Sequence, residues 1–327
     1  MGSVKIPYFY YMTLAFMLFT VVILFLMSLV LGDVKWGSLV ELMDPEYIDV
    51  VMEYRFPRVL VGLCAAINFT LSGLLLQVVT KNNLTTPNIV GINTGASFFA
   101  VVSLLLFSDN VMGVSGVFST NMFSFMGSLF ACLLFILFAR KDFTNHLNIL
   151  NGIALDSIFI ALTAILLLMF PNETGSIALW LTGSLWGKNL QDLTFLLPSC
   201  LVGVLFCLFF GQRMNILSLS NETSISLGIH VRRNHFLLLL MSCFLAGTAV
   251  ASTGPIGFIS LFVPNVTRLI VGENIKKIVP FSILLAGIII IASDILSRVL
   301  IPPEEIPIGV IVAIICSPYL IFLVKQR

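Results

Sequence analysis

Ten apolar stretches, 8–31, 59–79, 89–108, 122–139, 148–170, 193–210, 236–250, 256–271, 278–300 and 308–324, follow one another through the 327 residues. Most approach the roughly 20 residues that a helix needs to cross the hydrocarbon of a bilayer. In lipid the backbone must satisfy its own hydrogen bonds, so each stretch is expected to be a helix. Hydrophobic residues make up 58% of the chain and charged residues 10%, with a mean hydropathy of +1.07. No water-soluble domain of this size carries that balance. The chain therefore reads as an all-α polytopic membrane protein, one domain over 1–327 with about ten helices. The first stretch is too long for the apolar core of a secretion signal, and no small-x-small site follows it, so it is kept as a spanning helix. Pro264 should kink the eighth.

Several kinds of chemistry are excluded early. A net charge of +1 gives no electrostatic case for nucleic acid. The six cysteines all lie inside apolar runs without a CxxC spacing, and the three histidines show no metal-site spacing, so neither a metal nor a disulfide is expected. There is no HExxH, no GxSxG and no GxxxxGK[ST]. If ATP drives this protein, ATP and its magnesium are bound by another polypeptide, and no cofactor belongs to this chain.

One polar island interrupts the pattern, 211–235, reading GQRMNILSLSNETSISLGIHVRRNH. It reads as two short helices, the second capped by Ser218 or Ser220, carrying Glu222 in its first turn and stopped by Gly228. Such an element is either an ordinary connecting loop or a rigid docking surface with Ile225 and Leu227 as apolar contacts. Placing the N-terminus in the cytoplasm leaves only Lys35, Arg55, Arg58, Lys188 and Arg298 of the 17 Lys and Arg residues outside. That positive-inside bias puts the island, and both termini, in the cytoplasm. Arg55, Arg58 and Arg298 then stand at helix mouths on an acid-rich outer side, as interfacial anchors or as a charged grip for an acidic partner. The outer segment 176–186 is too short to span and should lie in the interface or re-enter.

At membrane depth only two carboxylates qualify as functional candidates. Asp294 precedes Arg298 by four residues on one helix face, which suits a local ion pair. Asp156, followed by Ser157, either lines a pathway or takes a hydrogen bond between helices. The second stretch carries Asn68, Thr70, Ser72, Gln77 and Thr80 with Gly62 and Gly73, the mixture expected of a helix packed in mid-bundle.

Ordered motifs cover nearly all of the chain from Arg55 onward: YRFPRVLVGLCAAINFTLSGLLLQ from Tyr54, KNNLTTPNIVGINTGASF from Lys81, NGIAL from Asn151, LWLTGSLWG from Leu179, SNETSISLGI from Ser220, GPIGFISLFVPNVTRLIVG from Gly254, ASDILSR from Ala292 and EIPIGVIVAIICSPYLIFLV from Glu305. Together they resemble the FecCD family, permease subunits of bacterial ABC importers for iron-siderophores, haem and cobalamin. The resemblance implies a type II importer permease in the plasma membrane. It would pair with a second permease, identical or homologous, and work with two cytoplasmic ABC ATPase subunits and an extracytoplasmic substrate-binding protein. Under it, Ser220, Asn221, Glu222, Thr223, Ser224, Leu227 and Gly228, within a coupling loop of about 212–233, match the coupling helices. Arg55, Arg58 and Arg298 match positions that meet acids of the binding protein, and Asn145 and His146 match the inner gate. The helix holding Asp156 and Ser157 resembles a pathway lining. The sequence departs from the family pattern at Asn83, Asp156, Ser260 and Asn265.

A ferric siderophore is the expected cargo, with haem or cobalamin as the alternative within the family. An ion-coupled secondary carrier is the rival from another class. Such a carrier usually uses buried acids or histidines, and this chain has few.

Overall fold

Phe56–Thr80, named α2 below, carries the polar and small residues expected of a central helix, and the bundle is built around it. In the computed structural model, which describes residues 5–31, 49–106, 116–139, 146–302 and 304–325, 19 of its 25 residues are buried. The first helix, α1 (Lys5–Val30), is followed among the described residues by a π-helical turn, Val51–Arg55, that leads directly into α2. Pro57 sits at the start of α2, where its missing N–H costs no helical hydrogen bond. There follow α3 (Ile92–Leu106), α4 (Gly116–Phe138), α5 (His146–Met169), α6 (Thr174–Leu181), α7 (Leu190–Leu217), α8 (Asn221–Ser226), α9 (Val231–Thr253), α10 (Ile259–Val271), α11 (Ile275–Val299) and α12 (Ile308–Lys325).

Seven of these are long and apolar enough to cross a membrane, and α3, α10 and α12 are shorter apolar helices. Each of the ten expected stretches falls on one of them. No strand occurs among the described residues.

Helix α2 packs on α7, α9, α10 and α11, and its polar side chains bond across those contacts. The Asn68 amide donates to Ser199 Oγ at 2.8 Å and Thr248 Oγ1 at 3.2 Å. Ser72 and Ser242 exchange bonds through both hydroxyls and both carbonyls. Gln77 Oε1 accepts from the Arg268 guanidinium of α10. Among apolar helices the hydrophobic effect supplies little driving force, so such bonds and close approaches do the holding. All six cysteines are buried, as expected of small core residues.

The segment around α6 does not span. Its tail tucks under the bundle, with Ser184 N donating to Thr253 O at 2.9 Å and Gly309 N to Gly183 O at 3.2 Å. It thereby ties the end of α9 to the start of α12. Helix α7 begins with a capping box, Asn189 accepting from Gln191 N and Asp192 from Asn189 N.

Candidate functional site

Two polar ends face away from each other along α2, separated by about 35 Å for the helix between Arg58 and Lys81. At the first, Arg58 presents its fork to Glu305, Nη1 to Oε1 and Nη2 to Oε2 both at 2.8 Å, while its Nε donates to Asp294 Oδ1 at 2.8 Å. The other Asp294 oxygen accepts from Arg298 Nη2 at 2.7 Å. The pair expected from the four-residue spacing on α11 is thus present, and it is half of a larger cluster. Arg298 continues to Ser28 Oγ at 2.6 Å and Leu31 O at 2.9 Å, binding the end of α1. Arg55 donates to the Leu29 and Val30 carbonyls at 2.9 and 3.0 Å, capping the same helix end.

Apart from the pairing of Asp294 with Arg298, sequence spacing did not reveal the internal partners of these three arginines. Arg58 and Asp294 stand 236 residues apart, Arg58 and Glu305 247 apart. The arginines, with Glu305, Lys188, Tyr54 and Trp186, line a cleft of about 420 Å³. Burial pushes the Lys188 ammonium below its usual pKa, and Asp192 at 3.9 Å opposes that shift. Trp186 is 73% exposed and Tyr54 60%, so the cleft is basic within and aromatic at its rim.

The opposite end holds the island. Its first part is not a separate short helix: α7 runs on to Leu217, because residues 211–217 continue the helical pattern with Gly211, Met214 and Leu217 buried. Ser218 closes α7, and Ser220 is the cap of α8, its Oγ accepting from Thr223 N at 3.1 Å. The expected stop is also found. Gly228 adopts φ +80, and the bonds from Ile229 N to Ser224 O and from Gly228 N to Ile225 O form a Schellman motif.

Buried Ser224 donates to Ile216 O at 2.8 Å, folding α8 back on α7. Lys81, itself left-handed at the end of α2, donates to Asn221 Oδ1 at 2.7 Å. So α8 is fastened to the central helix, while Glu222, Thr223, Ile225 and Leu227 point outward; Ile225 is 63% exposed and Leu227 57%. The Lys81 tether had no signal in the sequence, because it joins residues 140 positions apart.

Asn145 lies outside the described residues, and His146 begins α5. Among the described residues, Ser157 Oγ donates within its own helix, to Ile153 O at 2.9 Å. Asp156 faces Thr94 of α3 and keeps one buried oxygen without a hydrogen-bond partner among the described residues. Two of the unusual positions meet: the Asn265 amide donates to Asn83 O at 2.8 Å, joining α10 to the turn after α2. Among the described residues no cluster of His, Cys, Asp or Glu is suited to hold a metal.

Curated relatives match most of the chain. It is 33% identical over 281 residues to the Fe(3+) dicitrate transport system permease protein FecD of Escherichia coli, covering 86% of each chain. The Fe(3+)-citrate import system permease protein YfmE of Bacillus subtilis is 32% identical over 86% of this chain and 84% of its own length. The iron(3+)-hydroxamate import system permease protein FhuG of the same organism is 31% identical over 94% of both. A solved metal-chelate type ABC transporter in an inward-facing conformation superposes with a TM-score of 0.86 at 28% identity, covering 96% of this chain and 99% of that one. The model of the FecCD transport family matches residues 18–326, and this multi-pass membrane protein belongs to that family.

Proposed function

We propose that the chain is the permease subunit of an ABC importer that carries a ferric siderophore across the plasma membrane. Two ATPase subunits act at the Lys81 end, in the cytoplasm, and an extracytoplasmic binding protein delivers cargo at the Arg58 end. The observation that carries this reading is α8, a short helix fixed at both ends, apolar at its tip and fastened to the central helix. A rigid projection of this kind, on a body without a phosphate-binding motif, suits a protein driven from outside itself. The iron(3+) chelates in the names of the relatives support the cargo class. A second permease, identical or homologous, lies against the exposed apolar face of α5 and completes the pathway, with Asn145, His146, Asp156 and Ser157 at its gate. Nucleotide closure of the ATPases pushes on α8, and Lys81 passes the movement to α2.

The test is the double variant Glu222→Ala/Leu227→Ala in the assembled transporter. Losing an exposed apolar anchor should cut ATP-driven uptake roughly tenfold or more while hydrolysis continues. Wild-type uptake in that variant removes the coupling assignment.

On the other face, a partner's carboxylate can reach the fork of Arg58 only by displacing Glu305. Glu305→Gln should therefore tighten binding-protein affinity by roughly fivefold, since one partly exposed ion pair of order 1 kcal/mol no longer competes. Unchanged or weaker affinity, measured by surface plasmon resonance on the purified permease, takes Arg58 out of the docking surface. Charge reversal at Arg58 is the poorer experiment, because a carboxylate there would face Asp294 and Glu305 and disturb folding.

A further inference from the structure

Beside α8 a second cleft, of about 470 Å³, opens between the end of α7 and the start of α9. Arg213 enters it from α7 and Arg233 from α9, with His230 alongside. Among the described residues, neither arginine has a carboxylate within ion-pair distance. This contrasts with Arg58 and Arg298, whose charges are matched at the opposite end. The Arg213 guanidinium lies over the Phe210 ring at 5.1 Å, and Phe210 stacks on Phe206 at 4.4 Å, so the cation is held in place. Two cations converging on one void repel each other, and an anion placed between them is stabilised by both.

The surroundings specify the kind of anion. On α9, Arg233, Leu237 and Leu240 follow at i, i+4 and i+7, one helix face, and both leucines are 37% exposed. On α7 the residues on the Arg213 face are Phe209, 80% exposed, and the half-buried stacked pair Phe210 and Phe206, at i−4, i−3 and i−7. Apolar side chains thus lead from the basic cleft into the membrane-spanning part of both helices. At the same level Lys277 Nζ lies 5.8 Å from the ring centre of Tyr10, the pairing of aromatic and basic side chains that marks a membrane interface. A phosphate group with apolar tails fits the charge and the apolar side chains together, whereas a soluble phosphate leaves the apolar side chains unused.

We propose that this cleft binds the phosphodiester head group of one anionic phospholipid, with its acyl chains lying along α7 and α9. Bound there, the lipid braces both ends of the segment that carries α8. The site depends on the chain being a membrane protein and not on its cargo.

The test uses the full chain in mixed phosphatidylglycerol and phosphatidylcholine nanodiscs, with retained lipid counted by native mass spectrometry after extraction. Wild type should keep phosphatidylglycerol over phosphatidylcholine by roughly 30-fold, the scale of two basic side chains near an anionic surface. Arg213→Ala/Arg233→Ala should bring the ratio close to one. Lys276→Ala/Lys277→Ala, which removes the same charge nearby, should leave the ratio in place, and Arg213→Lys/Arg233→Lys should fall between. Undiminished retention in the arginine variant overturns the proposal, as does an equal loss in both alanine variants, which would mean diffuse attraction. Displacement of the lipid by millimolar inorganic phosphate identifies a soluble-anion site and also overturns it. Loss of ATPase-subunit binding with lipid retention intact overturns it in favour of a protein contact.

Discussion

Asp294→Ala is expected to lower the accumulation and thermal stability of the protein more than the loss of any other carboxylate. Its side chain is 2% exposed and its two oxygens serve two arginines, Nε of Arg58 and Nη2 of Arg298. Removing one member of a buried ion pair typically costs 3–5 kcal/mol, because the partner charge stays behind without compensation. Here Arg298 loses its carboxylate partner and Arg58 keeps only Glu305, against a folding stability that is itself only about 5–15 kcal/mol. Part of the damage should be reversible by removing the stranded charge. Asp294→Ala/Arg298→Met is expected to lose less stability than the two single losses add up to, the signature of direct coupling. Asp294→Asn keeps the shape and one acceptor and should fall between. The measurement is the melting transition of the detergent-purified protein, followed by size exclusion after heating. An Asp294→Ala protein that melts within about 2 °C of wild type, the shift expected from about 1 kcal/mol in a chain of this length, would show that the cluster does not hold the α1, α2 and α11 ends together.

Gly73→Leu should be comparably severe for a different reason. Gly73 lies at the middle of α2 against the first turn of α10, where a Cβ would overlap the carbonyl of Ser260. The obstacle is backbone and cannot rotate away, so α2 and α10 must separate. Overpacking usually costs about 1–3 kcal/mol, and a leucine wedged between two backbones belongs at or beyond the top of that range. The same separation would pull the Arg268 guanidinium of α10 from Gln77. Gly73→Ala should show a smaller loss in the same direction. Gly175→Ala is the control, since nothing lies within 4 Å of a Cβ there, and it should be silent. Membrane accumulation and the melting transition read both effects, and a stable Gly73→Leu protein would mean that α2 and α10 do not pack this closely.

Both outcomes bear on function through the same helix. Helix α2 takes the Arg58 cluster at one end and the Lys81 tether at the other, so loosening either end separates the two surfaces that must communicate. The expected order is that Glu222 and Leu227 variants fold normally and fail in uptake, whereas Asp294 and Gly73 variants fail before uptake can be measured.

What the amino-acid sequence determined by itself was everything local in origin. The apolar stretches, the serine cap and glycine stop of α8, the i,i+4 pair of Asp294 with Arg298 and the polar run of α2 are all set by spacings within a few residues. Tertiary structure alone decided which faces are covered. The window in α1 has the higher mean hydropathy, 2.7 against 2.2 for α2, yet 6% of the first is buried and 83% of the second. In lipid both an outer and an inner helix must be apolar, so hydropathy cannot tell them apart. Only the packing brings Glu305 to the fork of Arg58, Asn221 to Lys81, and Arg213 beside Arg233, because each pair joins different parts of the chain and no periodicity connects them.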